Sequence, residues 1–99
     1  MQARYETAKR AASLPPPDAL MHRIDLNPND LDARLDLAEL HVAHRRFEPA
    51  LVQLLEIVRR DRTYRADVGR VKMLEVFEMA AMQQELVDTY RAKLSATLF

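Results

Sequence analysis

The chain has 99 residues, a length that suits one domain with a modest hydrophobic core. Fifteen basic side chains balance fifteen acidic ones, so the net charge provides no attraction to nucleic acid or to an anionic membrane. The chain contains no cysteine, which excludes disulfides, thiolate metal ligands and thiol redox chemistry. No apolar run approaches the length of a membrane span and no signal-peptide pattern opens the sequence, so we expect no membrane segment.

Helical periodicity runs through the sequence, and turn residues divide it into about six helices. Glycine occurs once, at position 69, and no stretch alternates apolar and polar residues as a strand does. Pro15–Pro17 end the first segment, Asn29 or Asp30 can cap the third helix, and Pro49 suits the first turn of the fourth. The predicted helices cover residues 2–13, 18–26, 31–44, 49–60, 67–81 and 86–98. The expected fold class is all-α.

The fourth predicted helix, within the stretch RRFEPALVQLLEIVRRD at 45–61, is apolar on two sides. A helix on the surface of a small bundle needs only one apolar stripe. Here the two stripes consist of Ala50, Leu54 and Ile57 on one side and Leu51, Leu55 and Val58 on the other. This helix must therefore be covered from two directions.

Residues 31–64 fit the pattern of a tetratricopeptide repeat, a helix pair of about 34 residues. Its packed positions are filled by apolar or small side chains and one histidine, namely Leu37, Ala38, His41, Phe47, Ala50, Leu54 and Ile57. Three positions depart from the pattern, since Arg34 replaces the usual tryptophan, Arg45 the turn glycine and Arg62 the closing proline. One repeat cannot bury its own faces, and stacked neighbours supply the cover that the two-sided helix requires.

We therefore expect a single domain over residues 1–99, built as an antiparallel helix-pair array. Residues 2–27 would form a degenerate N-terminal pair, residues 31–64 the best-matching repeat, and residues 67–98 a capping pair at the C-terminal end.

Three stretches resemble a known family. LLEIVRRDR at 54–62, the most specific of them, GRVKMLEVFEM at 69–79 and YRAKLSATLF at 90–99 are similar to the C-terminal region of the bacterial thioredoxin-like co-chaperones of the YbbN type, the chaperedoxins. The similarity runs from about Leu14 to Phe99. It implies a preceding thioredoxin-like domain in the intact protein and a cytoplasmic role in holding unfolded clients and passing them to the GroEL chaperonin. It also implies that the terminal helix is the docking element.

The candidates for chemistry are weak. His41 and His44 lie three residues apart on one helix, but a zinc site needs three or four converging ligands and no carboxylate stands beside this pair. No glycine-rich phosphate loop exists in the sequence. Two carboxylate pairs have helical spacing that is typical of a solvated face: Asp32/Asp36 and Glu75/Glu78. We therefore expect no enzyme activity, no metal site and no cofactor.

Two groups of residues allow alternative interpretations. The basic residues Arg59, Arg60, Arg62, Arg65, Arg70 and Lys72 form either a solvated edge between repeats or a patch for an acidic partner or nucleic acid. The absence of interleaved aromatic residues, which would stack on bases, favours the solvated edge. The methionines at positions 73, 79 and 82 belong either to the core or to an adaptable surface for varied clients.

The last predicted helix also has two interpretations. Val87, Tyr90 and Leu94 form a stripe that should pack on the 67–81 helix as the cap of the array. The candidate partner-binding residues are Leu86, Tyr90, Leu94, Leu98 and Phe99, which either serve as docking anchors or complete the core. Two function classes remain: a module that binds protein or peptide partners in proteostasis, and a structural domain whose apolar faces bind copies of itself.

Overall fold

The computed structural model describes residues 14–99, and this part of the chain contains only helices and their connecting turns. The five helices are α1 (Pro17–Leu26), α2 (Leu31–Ala43), α3 (Phe47–Arg60), α4 (Tyr64–Met79) and α5 (Gln84–Leu98). The all-α fold class predicted from the sequence is confirmed. The helix predicted over residues 2–13 lies outside the described residues.

The first two helices start where local chemistry favours a helix terminus. Pro17 fills the first position of α1, where a backbone N–H is not needed. Asp30, the second of the two predicted capping residues, caps α2 by accepting a hydrogen bond from the Ala33 N–H at 3.0 Å. The same carboxylate pairs with Arg23 of α1 at 3.1 Å. The hydrogen bond from Arg23 lowers the pKa of Asp30, so the cap is ionised at neutral pH.

The turn between α2 and α3 contains a left-handed residue. Arg45 has a φ of 57°. Two hydrogen bonds close the turn: the Arg45 N–H donates to the Val42 carbonyl at 3.0 Å, and the Arg46 N–H donates to the His41 carbonyl at 2.8 Å. This pair of bonds defines a Schellman motif, whose left-handed position usually holds glycine. The turn-glycine position assigned to Arg45 from the repeat pattern therefore has the backbone angle expected of it.

The start of α4 is irregular. Arg65, Ala66 and Asp67 have φ values of 46°, 55° and 67°, so the regular right-handed helix starts after Asp67. Each such residue costs about 1–2 kcal/mol. Contacts with α2 hold this segment in place, because the Tyr64 hydroxyl donates to Asp32 and the Arg65 guanidinium pairs with the same carboxylate at 3.0 Å. Burial and the Asp32 carboxylate raise the pKa of Tyr64 to about 12, so the hydroxyl keeps its proton at neutral pH.

Helix α3 lies at the centre of the fold and contacts α2, α4 and α5. Residues of both predicted apolar stripes are almost completely buried: Ala50, Leu51, Leu54, Ile57 and Val58. Leu55 is partly buried against the same core, whereas Val52 is exposed. Cover from three neighbouring helices thus accounts for the two-sided apolar pattern of α3.

The single glycine of the chain permits the close approach of α3 and α4. Gly69 is buried, and a Cβ atom at this position would lie 2.9 Å from Val58 Cγ2 and 3.2 Å from the Leu54 carbonyl oxygen. The Val58 side chain is β-branched and has little rotamer freedom in a helix, and a backbone carbonyl cannot move without distorting α3. Only glycine fits at this crossing without displacing α3.

A second and smaller core joins α1 to α2. It consists of Leu20 from α1 and Ala33, Leu37 and Leu40 from α2.

Arg34 is buried on α2 at the position where the repeat pattern has tryptophan. Its Nε donates to the Pro28 carbonyl at 2.9 Å and its Nη1 donates to the Gln53 side chain of α3 at 2.9 Å. Burial lowers the pKa of Arg34, and the nearby charge of Arg60 lowers it further. A long polar side chain with two directed hydrogen bonds therefore takes the place of an aromatic ring between the two helices.

Helix α5 approaches α3 more closely than it approaches α4. The predicted stripe of Val87, Tyr90 and Leu94 lies in one core cluster with Phe77 of the 67–81 helix and with residues of α3, so it faces both helices. Tyr90 reaches α3, where its hydroxyl lies 3.2 Å from a carboxylate oxygen of Glu48. Large side chains, among them Phe77 and Leu94, line the space between α4 and α5. We attribute the separation of these two helices to their bulk, because glycine or alanine is what brings helices close elsewhere in this fold.

Replacing Gly69 with alanine should destabilise the domain, although alanine is the better helix former by about 1 kcal/mol. The added Cβ has no free space between α3 and α4, and overpacking costs about 1–3 kcal/mol. The midpoint of thermal unfolding, monitored by circular dichroism, measures this loss of stability. A midpoint at or above that of the wild type would show that α3 and α4 are farther apart than described.

Ala50→Leu should destabilise the domain by about 1–3 kcal/mol, because Ala50 is fully buried in α3 and the extra carbon atoms have no space. Val52→Leu on the exposed side of the same helix is the matched control and should shift the midpoint little. Equal midpoints for the two variants would contradict a close helix crossing at Ala50.

Arg45→Gly should leave stability unchanged or raise it by up to about 1 kcal/mol, because glycine removes the strain of a left-handed residue. Arg46→Gly is the control, since Arg46 has a φ of −96° and therefore no left-handed strain for glycine to remove, while the unfolded chain gains freedom. Urea unfolding of both variants tests the difference. A clear loss of stability in Arg45→Gly would mean that the Arg45 side chain makes a stabilising contact.

Candidate functional site

The space between α4 and α5 forms an open groove of about 240 Å³ at one end of the helix array. We call it the C-terminal groove. Its lining consists of Arg70, Leu74 and Phe77 from α4 and Arg91, Leu94, Ser95, Leu98 and Phe99 from the end of the chain. It follows directly from the separation of the last two helices.

The C-terminal groove has a buried apolar floor and an exposed apolar edge. Phe77 and Leu94 form the floor and belong to the main core of the domain. Leu74 is 41% exposed, Leu98 is half-buried, and Phe99 is 97% exposed. Exposed apolar side chains that border a concave apolar surface are typical of sites where another chain packs.

The charged residues in this lining are both basic. Arg70 pairs with Asp67 at the start of α4. The guanidinium of Arg91 lies over the ring of Phe77, with its central carbon 5.3 Å from the ring centroid. An arginine above an aromatic face keeps its charge and its hydrogen-bond donors available to a carboxylate. The groove therefore combines apolar contact area with a preference for negative charge.

The predicted partner-binding residues do not all lie in this groove. Leu94, Leu98 and Phe99 line it, whereas Leu86 and Tyr90 are not among its lining residues. Tyr90 is buried outside the groove, so a partner cannot reach it without repacking α5, whereas Leu94 is buried but forms part of the groove floor. Fewer residues are available to a partner than the sequence predicts, and Phe99 is the most exposed of them.

Sequence reasoning missed the half of the groove that α4 contributes. The apolar spacing of the 67–81 helix does not distinguish Leu74 and Phe77 from core residues, and the basic cluster includes Arg70 for its charge alone. A sequence signal for this half of the groove exists, since Arg70, Leu74 and Phe77 recur at helical spacing and so share one face.

A family model described as a tetratricopeptide repeat matches residues 10–99. The chain belongs to the tetratricopeptide repeat family. No curated protein and no solved structure matches it. Tetratricopeptide repeats are helical protein-interaction modules, and this coarse function applies to the chain.

Six of the seven residues assigned to packing within the first repeat are buried: Leu37, Ala38, Phe47, Ala50, Leu54 and Ile57. His41 is half-buried. Burial lowers the pKa of His41, and the charges of Arg46 and His44 lower it further, so the imidazole is neutral at neutral pH. Within residues 14–99, no group of three histidine, cysteine, aspartate or glutamate side chains could hold a metal ion.

The basic cluster is a network of pairs along the edge between the repeats. Five of its members pair with carboxylates: Arg59 and Arg60 with Glu56, Arg65 with Asp32, Arg70 with Asp67, and Lys72 with Glu75. The sixth, Arg62, donates to the Leu98 carbonyl at 3.5 Å. These pairings favour the solvated-edge interpretation over a patch for nucleic acid, because phosphate groups would have to displace several carboxylates.

A second cavity, between α2 and α4, is too small for a ligand. Its volume of about 10 Å³ is close to that of a single water site. The C-terminal groove is therefore a better candidate site than this cavity. Within the part of the chain that the structure describes, no helix has the length and apolar content needed to cross a membrane.

Proposed function

We propose that this tetratricopeptide domain is a non-catalytic module that binds a protein partner in its C-terminal groove. The supporting observation is the groove itself, where Leu74 and Phe99 border a concave apolar surface that α4 and α5 leave uncovered. Stacked repeats normally bury such surfaces against the next helix. A partner helix that inserts apolar anchors would supply the missing cover.

We further propose that the intact protein is a thioredoxin-like holdase and co-chaperone in the cytoplasm, and that the partner of this groove is the GroEL chaperonin. The stretch YRAKLSATLF, which carries part of the resemblance to the bacterial co-chaperones, includes Leu94, Leu98 and Phe99 of the groove. The segment expected from the resemblance to dock is thus also the one that exposes apolar surface.

Unfolded clients need a different kind of surface, one that adapts to many sequences. Among the methionines considered for this role, Met73 is buried in the core and Met79 is half-buried. Met82, in the turn between α4 and α5, is 98% exposed. We propose that clients contact Met82 and its surroundings, because a flexible thioether packs against varied apolar groups.

Phe99→Ser should weaken chaperonin binding by about ten- to a hundredfold, since burying a phenylalanine side chain contributes about 1.5–3 kcal/mol. The matched control is Met82→Ser, which removes an equally exposed apolar side chain outside the groove lining. A binding titration of the full chain against the chaperonin gives both dissociation constants. Equal constants for wild type and Phe99→Ser would exclude the groove as the chaperonin site.

Deletion of residues 95–99 should weaken chaperonin binding further while most of the helicity is retained. Circular dichroism of the same sample checks the fold. Unfolding of the truncated chain would assign this segment to the core rather than to a docking surface, and the Phe99→Ser titration would still test the groove.

A further inference from the structure

The outward face of α1 carries apolar and acidic residues together. Met21 is 52% exposed and Leu26 is 74% exposed, although both belong to the helix that packs on α2. Asp18 and Asp25 are also exposed. Asp18, Met21 and Asp25 are spaced three and four residues apart, so they form one stripe along the helix. The two carboxylates lie two helical turns, about 10.5 Å, apart along the axis with an apolar side chain between them.

Among the described residues, 14–99, this face and the C-terminal groove lie at opposite ends of the helix array. Helix α1 packs on α2, α2 packs on α3, and α4 and α5 each pack on α3. The two ends have complementary chemistry, since α1 presents Met21 between two aspartates and the groove presents Leu74 and Phe77 beside Arg91, while its other arginine, Arg70, is paired with Asp67. The α1 face therefore cannot occupy the groove of its own chain but can occupy that of another.

We propose that the C-terminal groove accepts α1 of a second copy of this chain, so that copies associate head to tail. Met21 inserts between α4 and α5, and Asp25 pairs with Arg91, because Arg70 is already paired with Asp67. Each copy uses two different surfaces, which makes the interface heterologous. The stacking of helix pairs continues from one chain into the next, as it does between the repeats of one chain.

This association goes beyond the proposed function because it requires no chaperonin and no client. It also has a consequence for partner binding. Since the second copy and the partner use the same groove, self-association reduces the number of grooves that are open to a partner. Raising the concentration of the chain should therefore weaken its apparent affinity for any protein that docks there.

Charge reversal with complementation tests the proposal. Wild-type chain should show a weight-average mass that rises with concentration in sedimentation equilibrium. R91E places a carboxylate opposite the aspartates of α1, and D25R places a guanidinium opposite the arginines of the groove, so each variant alone should associate at least tenfold more weakly. An equimolar mixture of R91E and D25R should recover association, because either groove then meets an α1 face of opposite charge.

The matched control is K93E, which makes the same charge change two residues away on α5. Lys93 also lies over an aromatic ring, that of Tyr90, but it does not line the groove. K93E should associate as wild type does, and circular dichroism should show that all variants keep their helicity. If R91E does not fold, R91Q takes its place in the single-variant measurement and Asp25→Arg still reports on the α1 face.

Three results would overturn the proposal. The first is a wild-type chain that stays monomeric up to millimolar concentration. The second is association that R91E and D25R leave unchanged, and the third is a mixture that does not recover. A monomeric chain that still binds the chaperonin through Phe99 would refute self-association alone, whereas an associating chain that ignores the chaperonin would refute only the proposed partner.

Discussion

The burial of α3 on both sides is the constraint on which the rest of the structure depends. Removing apolar surface from water contributes about 25 cal/mol per Å², and α3 carries more such surface than one neighbour can cover. Its contacts with α2, α4 and α5 meet this requirement together. A single helix pair would leave one stripe of α3 in water. The smallest stable unit around α3 is therefore a repeat together with the helices that follow it.

The size of the residue at each helix crossing determines how closely two neighbouring helices pack and how much apolar surface they bury. Ala50 is fully buried on α3, and Gly69 lets α4 approach the α3 backbone directly. Between α4 and α5 the facing residues include Phe77 and Leu94, which fill the core but keep the two helices apart. The close packing of one pair and the open groove of the other follow from the same rule.

Much of the fold could be predicted from the sequence because it depends on local signals. Apolar spacing located five described helices, and the repeat pattern assigned Arg45 to a turn position that proves to be left-handed. How closely α5 approaches α3 and α4 could not be predicted, because it depends on the bulk of side chains from several helices at once. The burial of Arg34 could not be predicted either, since its hydrogen-bond partners, Pro28 and Gln53, come from a loop and from another helix.

An incompletely covered end gives a repeat domain its capacity to bind, because the surface that stacks repeats within the chain is the surface that accepts other chains. In this protein the C-terminal groove has features that favour one kind of partner over another. In the proposed function, the exposed Leu74 and Phe99 at its edge contact an apolar helix, and Arg91, stacked on Phe77, favours a helix that carries a carboxylate beside its apolar anchor. A partner and a second copy of the chain would satisfy that requirement in the same way. Their competition for the groove is then set by concentration and by how well each places its acidic groups.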